Sequence, residues 1–149
     1  MEFSDDRHDQ LYQYWLLKKG ENRAPARSDI DPLDFQNLLP NIFLFDVIKD
    51  PLDYRMRLVG TRIVQVMERD CTGMLFDEIY KGERALKVRE DYDWVAKKME
   101  PVYSEITAGW MNRDFLTYYR LMLPLSSDNS DVDMMLGLTT FINKKKLIP

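Results

Sequence analysis

One cysteine, Cys71, one histidine, His8, and serines that include Ser28, Ser104, Ser126, Ser127 and Ser130 are the residues whose types could do covalent chemistry in this chain. Their spacing assembles no machinery. A hydroxyl nucleophile needs a base beside it, and the sole histidine lies in a polar lead-in to the first apolar segment, where a solvated side chain is expected. One Cys and one His fall short of a tetrahedral zinc site unless two chains share it. No glycine-rich phosphate loop is present, and His8 lacks the two-helix module that surrounds a phosphoacceptor. We therefore expect no catalytic residues, no metal ligands and no enzymatic activity. Arg27 and Asp29 form a different kind of pair, a charged couple in a loop that is expected to pin the first helix to the rest of the domain.

Composition narrows the class further. With 25 Asp plus Glu against 21 Lys plus Arg, the net charge of −4 disfavours phosphate backbones and anionic membranes, so neither nucleic acid nor membrane is an expected partner. The one basic cluster, Lys144-Lys145-Lys146, reads as a solubilising tail. No apolar run approaches the ~20 residues needed to span a bilayer, and the N-terminal residues lack the pattern of a secretory signal. A cytoplasmic location is expected. At 45% hydrophobic, 149 residues suffice for one cored domain. Residues 1–24 should form a helix and loop, 25–143 the core, and 144–149 a tail.

The elements that must position any site follow from periodicity. Leu11 to Lys19 carries apolar residues round more than half of a helical circumference, and Gly20 stops it. A helix this apolar suits a second copy as well as its own domain, so Leu11, Tyr12, Tyr14, Trp15 and Leu16 are expected to form a homodimer interface. The duller alternative is a helix that covers a bare sheet face. Asp31-Pro32 opens a short helix that Pro40 ends. Ile42–Ile48 and Tyr54–Val59 read as a hairpin, with Tyr54, Met56 and Leu58 inward and Arg55 and Arg57 outward. Short helices should cover Ile63–Met67 and Leu75–Ile79, and a longer one Glu83–Met99. Three strands follow, Val102–Thr107, Phe115–Leu123 and Met134–Ile142, joined by turns at Gly109–Asp114 and at a mobile tip, Ser126–Asp131.

Two strands, a helical middle and three strands make an α+β chain with a five-stranded antiparallel sheet, helices on one face and the N-terminal helix outside on the other. That order, with Pro25 to Pro32, Leu39-Pro40, Arg57 to Thr61 and Arg69 to Gly73, resembles a family of small stand-alone bacterial PAS-domain proteins. The resemblance implies a regulatory or sensory role. Cys71 lies near the position where flavin-binding photosensory PAS domains carry their reactive cysteine. Here, however, Asp70 precedes it and Thr72-Gly73-Met74 follows, without the Asn, Arg and Gln of those domains. No histidine on the long middle helix offers haem an axial ligand. Flavin and haem are therefore not expected, and Cys71 reads as a structural thiol.

A small apolar ligand is the expected cargo. Tyr54, Met56, Leu58, Val64, Met67, Leu75, Phe76, Val88, Tyr92, Val95 and Tyr119 are the candidate ligand-binding residues, between the inward sheet face and the middle helices. Asp46, Arg57, Tyr118 and Arg120 are expected on the opposite face, as surface pairs. Gly60 and Gly73 are expected as backbone devices that tolerate positive φ. The expected function is signalling through contact with an unidentified protein partner. The alternatives are a ligand-free dimerisation scaffold and a cone-shaped α+β enzyme of the isomerase or dehydratase type.

Overall fold

Strands β1 (Ile42–Ile48) and β2 (Asp53–Val59) form the hairpin that their β-prone residues imply. The computed structural model describes residues 1–108, 116–142 and 147–148; the Gly109–Asp114 turn and the Lys144–Lys146 cluster lie outside them. Ahead of the hairpin come α1 (Asp6–Lys19), a single 3-10 turn at Arg27–Asp29 and a kinked 3-10 segment, Pro32–Asn41. Asp5 caps α1 through the Arg7 amide at 2.8 Å, and Asp31 caps the 3-10 segment through the Leu33 amide at 3.0 Å. After β2 follow α2 (Thr61–Met67), α3 (Phe76–Ile79) and α4 (Glu83–Lys98). The chain returns to strands with β3 (Val102–Ala108), β4 (Leu116–Leu125) and β5 (Met134–Ile142). A two-residue strand, β6 (Leu147–Ile148), pairs with the end of β5 where only a tail was expected.

The main sheet runs β2-β1-β5-β4-β3, with every pairing antiparallel. β2 and β3 are its two edges, so α2, α3 and α4 must carry the chain across the whole sheet on one face. That crossing encloses the hollow in which a site can lie. The other face is closed by α1: Leu11 and Trp15 are buried, and the Trp15 indole N–H donates to the Pro124 carbonyl at 2.8 Å.

With both faces covered, β4 has no polar side, and its side chains sit opposite to the expected arrangement. Tyr118 and Arg120 face the helices, where the Arg120 guanidinium lies over the Tyr92 ring of α4 at 5.1 Å. Tyr119 faces α1 instead, stacked on Tyr103 at 5.9 Å. Leu58 is displaced by a different device. The register shifts between Leu44 and Phe45, leaving Arg57 as an extra residue in β2; Met56 and Val59 then turn inward and Leu58 is exposed.

Four further expectations change. His8 is fully buried, with Nε2 3.3 Å from the Tyr119 carbonyl oxygen and its ring packed on Phe3 and Tyr103. Among the described residues, the Arg27 and Asp29 side chains bond within their own turn, to the Ile30 carbonyl and the Ala26 amide. α1 is linked to the 3-10 segment instead by Tyr14, whose hydroxyl donates to Asp34 at 2.8 Å and accepts from the Asp31 amide at 3.0 Å, and by the paired side-chain amides of Gln10 and Asn37. The Ser126–Asp131 tip is tied down rather than mobile: Asp128 accepts from Ser126, Ser130 and Asp131, and the Ser126 amide donates to the Pro25 carbonyl. Gly73 does need its positive φ of 86°, but Gly60 does not; it is glycine because a Cβ there would meet the Pro40 carbonyl oxygen at 2.3 Å.

Candidate functional site

Between the sheet and its crossing helices lies an aromatic cluster centred on Tyr92. α4 turns Tyr92 inward because Val88, Tyr92 and Val95 recur at helical spacing, and all three are buried. Phe45, Tyr54 and Phe76 meet the Tyr92 ring edge to face, with centroids 5.1, 5.2 and 5.1 Å away, and the Tyr80 hydroxyl is 3.1 Å from that of Tyr92. Arg89 covers the outer side, its guanidinium 5.1 Å from the rings of both Tyr54 and Phe76, while it donates to the Leu52 carbonyl at 2.7 Å. The Tyr54 hydroxyl donates to Asp93 at 2.5 Å. Burial first, and then the Asp93 carboxylate, hold the Tyr54 phenol far above its ordinary range, so it stays neutral.

Beside this cluster a cavity of about 40 Å³ remains, lined by Phe43, Phe45, Met56, Val59, Ile63, Met67, Arg69, Cys71, Ile79, Tyr80, Tyr92, Tyr118, Arg120 and Thr139. Of the expected ligand-binding residues, Met56, Met67 and Tyr92 line it. Tyr54 and Phe76 stand one layer behind, against Tyr92. Val88 lines a separate open groove, and Val95 is buried in the core; Val64 and Leu75 are half-buried and not at the cavity. Leu58 and Tyr119 are excluded from it by the bulge and by the strand face. Cys71 is buried against the cavity, and burial raises its thiol pKa, so it stays protonated and unreactive.

Arg120 is the residue that sequence reasoning misplaced and that gives the cavity its chemistry. Its side chain is 2% exposed. Nη2 donates to Asp91 Oδ2 at 2.9 Å, and the same carboxylate oxygen accepts from the Ser104 hydroxyl at 2.6 Å. Nε and Nη1 are shut off from solvent with no hydrogen-bond partner among the described residues. Burial works against the charge, but a guanidinium holds its proton strongly and the Asp91 carboxylate lies beside it, so Arg120 is a cation. The signal available in the sequence was a single arginine inside the apolar run Tyr118 to Leu125, a charge with no solvated side to occupy.

Asp91 also reaches outward. With Lys87, Val88, Ser104, Glu105, Ile106 and Thr107 it lines an open groove of about 440 Å³ between α4 and β3. One carboxylate therefore ties together α4, β3 and β4, and stands between the inner cavity and the outer surface.

The comparison with family models decides the class. A model described as a PAS domain matches residues 4–140 of the 149. The chain belongs to the PAS-domain family. Its sheet order and crossing helices are those of a PAS-like α+β domain, which overturns the cone-shaped enzyme fold held as an alternative. A search of curated proteins gave no match. Among the described residues of this PAS domain, no helix is long and apolar enough to cross a membrane.

The expected homodimer interface divides in two. Leu11 and Trp15 are spent on the domain's own core and have no surface to offer a second copy, because the sheet face opposite α4 would otherwise be bare. Tyr12, Tyr14 and Leu16 are half-buried, and Leu17 beside them is 76% exposed.

Proposed function

We propose that this PAS domain is a sensor whose input site is the cavity at Arg120 and whose output is contact with another protein. The observation that carries the reading is a buried guanidinium with two donors unmatched among the described residues, on an arginine that lines a small cavity. Buried polar groups are ordinarily hydrogen-bonded, and leaving one unsatisfied costs about 1–3 kcal/mol, more for a charged group. A domain built only as a scaffold gains nothing from that cost. The small volume limits the occupant to a few heavy atoms, and the guanidinium makes it polar rather than the apolar ligand expected from the sequence.

The route outward is Asp91. An occupant that draws on Arg120 alters its bond to Asp91, and Asp91 holds α4 to β3 at the surface. This reading calls for no catalytic step, and the single histidine is buried against the Tyr119 carbonyl. It works in the cytoplasm, and any self-association through α1 uses Tyr12, Leu16 and Leu17.

Proximity labelling in cells tests this, comparing the wild type with Cys71→Met, whose longer side chain fills the cavity from its wall. A sensor requires the set of labelled neighbours to change when the cavity is filled. An identical set, with the variant folded, supports a ligand-free scaffold instead.

A further inference from the structure

The sensory reading leaves the chemistry of the occupant open, and the donors of Arg120 constrain it. We propose that the cavity takes a small planar monoanion, a carboxylate of formate size, on the free N–H groups of Arg120 and in competition with Asp91. The inference rests on the sensory reading of this site and names its ligand class.

A guanidinium carries five N–H donors and no acceptor. The only protein acceptor that Arg120 meets among the described residues is Asp91, through Nη2. The occupant can therefore present an acceptor to Nε or to Nη1. These two atoms lie on different edges of the guanidinium, so the ligand engages one edge rather than spanning both. Water offers an acceptor as well, and a cavity of about 40 Å³ would hold it. A carboxylate forms the stronger, charge-assisted bond, and the low-dielectric walls of Phe43, Phe45 and Met56 strengthen it further.

Neutralisation of Arg120 by the protein is also incomplete. Asp91 divides one oxygen between Arg120 and Ser104, and its side chain is 29% exposed on the side of the outer groove. Its attraction is thereby screened, leaving a net positive field in the cavity. The remaining wall suits an anion: the Thr139 and Tyr80 side chains bring hydroxyls, and no carboxylate lines the cavity. The size limit is set by Met56 and Met67. Both are flexible, so a second or third carbon is admitted only as they move.

The test is thermal unfolding of the full chain in sodium formate against sodium chloride at equal ionic strength, read beside the side-chain Nε–H resonance of Arg120. In the wild type, formate should raise the unfolding temperature above the chloride value and shift the Nε–H resonance saturably. Asp91→Asn removes the competing carboxylate and should tighten formate binding about tenfold. Arg120→Met should abolish the effect; if that variant does not fold, the wild-type resonance and Asp91→Asn carry the test. The proposal is overturned if formate and chloride act alike on both the wild type and Asp91→Asn, or if the Nε–H resonance does not respond, which would assign the cavity to water. A neutral cargo retained on the purified protein would overturn the carboxylate while leaving the sensory reading intact.

Discussion

Replacing Trp15 distinguishes a helix that belongs to the core from one that exists for a partner. The indole is 2% exposed and its N–H donates to the Pro124 carbonyl at 2.8 Å inside the protein. Trp15→Phe removes that bond and leaves a buried acceptor short of a donor, at a cost of about 1–2 kcal/mol. The smaller ring forfeits a further ~1 kcal/mol of apolar contact against α1's own sheet face. The sum, about 2–3 kcal/mol, is a large fraction of the ~5–15 kcal/mol that holds a domain together. Urea unfolding followed by far-UV circular dichroism measures it, with Leu17→Gln as control, since Leu17 is 76% exposed and its loss should lie within about 0.5 kcal/mol of zero. The reasoning fails if Trp15→Phe shifts the midpoint no more than Leu17→Gln does, or if it only converts a dimer to an equally stable monomer.

Three further outcomes are expected. Burial depresses the His8 pKa below its ordinary 6.5, with Arg7 adding to the effect and the Tyr119 carbonyl and Asp5 opposing it. The unfolded chain therefore takes up that proton first, and stability should fall as pH drops from about 6.5 towards the folded pKa; unfolding midpoints at pH 7 and pH 5 should converge in His8→Phe. Tyr14→Phe should cost about 0.5–1.5 kcal/mol in a urea titration, more than Arg27→Ala, because Tyr14 alone of these bonds α1 to the 3-10 segment. Gly137→Ala places a Cβ 1.9 Å from the Phe43 ring, so calorimetry should show a loss of about 1–3 kcal/mol as that ring is pushed towards the cavity it lines.

Element order was legible from the sequence because local chemistry sets it. The run Met134–Ile142 needs no tertiary context to read as a strand, nor does the Val88, Tyr92, Val95 stripe to read as a helix face. Which face each strand residue occupies was legible only where one face meets water. In β2 the pattern gave Tyr54 and Met56 correctly, until a one-residue bulge at Arg57 reversed the phase for Leu58 and Val59. In β4, buried on both faces, the phase leaves no trace, so Tyr119 was assigned inward and Tyr118 and Arg120 outward. His8 was misread for a related reason: its polar neighbours, Asp5, Asp6, Arg7 and Asp9, surround it in sequence, while Phe3, Tyr103 and Tyr119 surround it in space. The ligand chemistry was lost with Arg120, since an arginine taken as a surface ion pair cannot also be the polar anchor of a cavity.

Native mass spectrometry of the chain purified from its own cells, with intact and denatured masses compared, tests the central claim most directly. The sensory account predicts a noncovalent excess mass of a few heavy atoms on the wild type that is lost on denaturation and absent from Cys71→Met. A bare chain under every growth condition, with the cavity variant indistinguishable from the wild type, would contradict it.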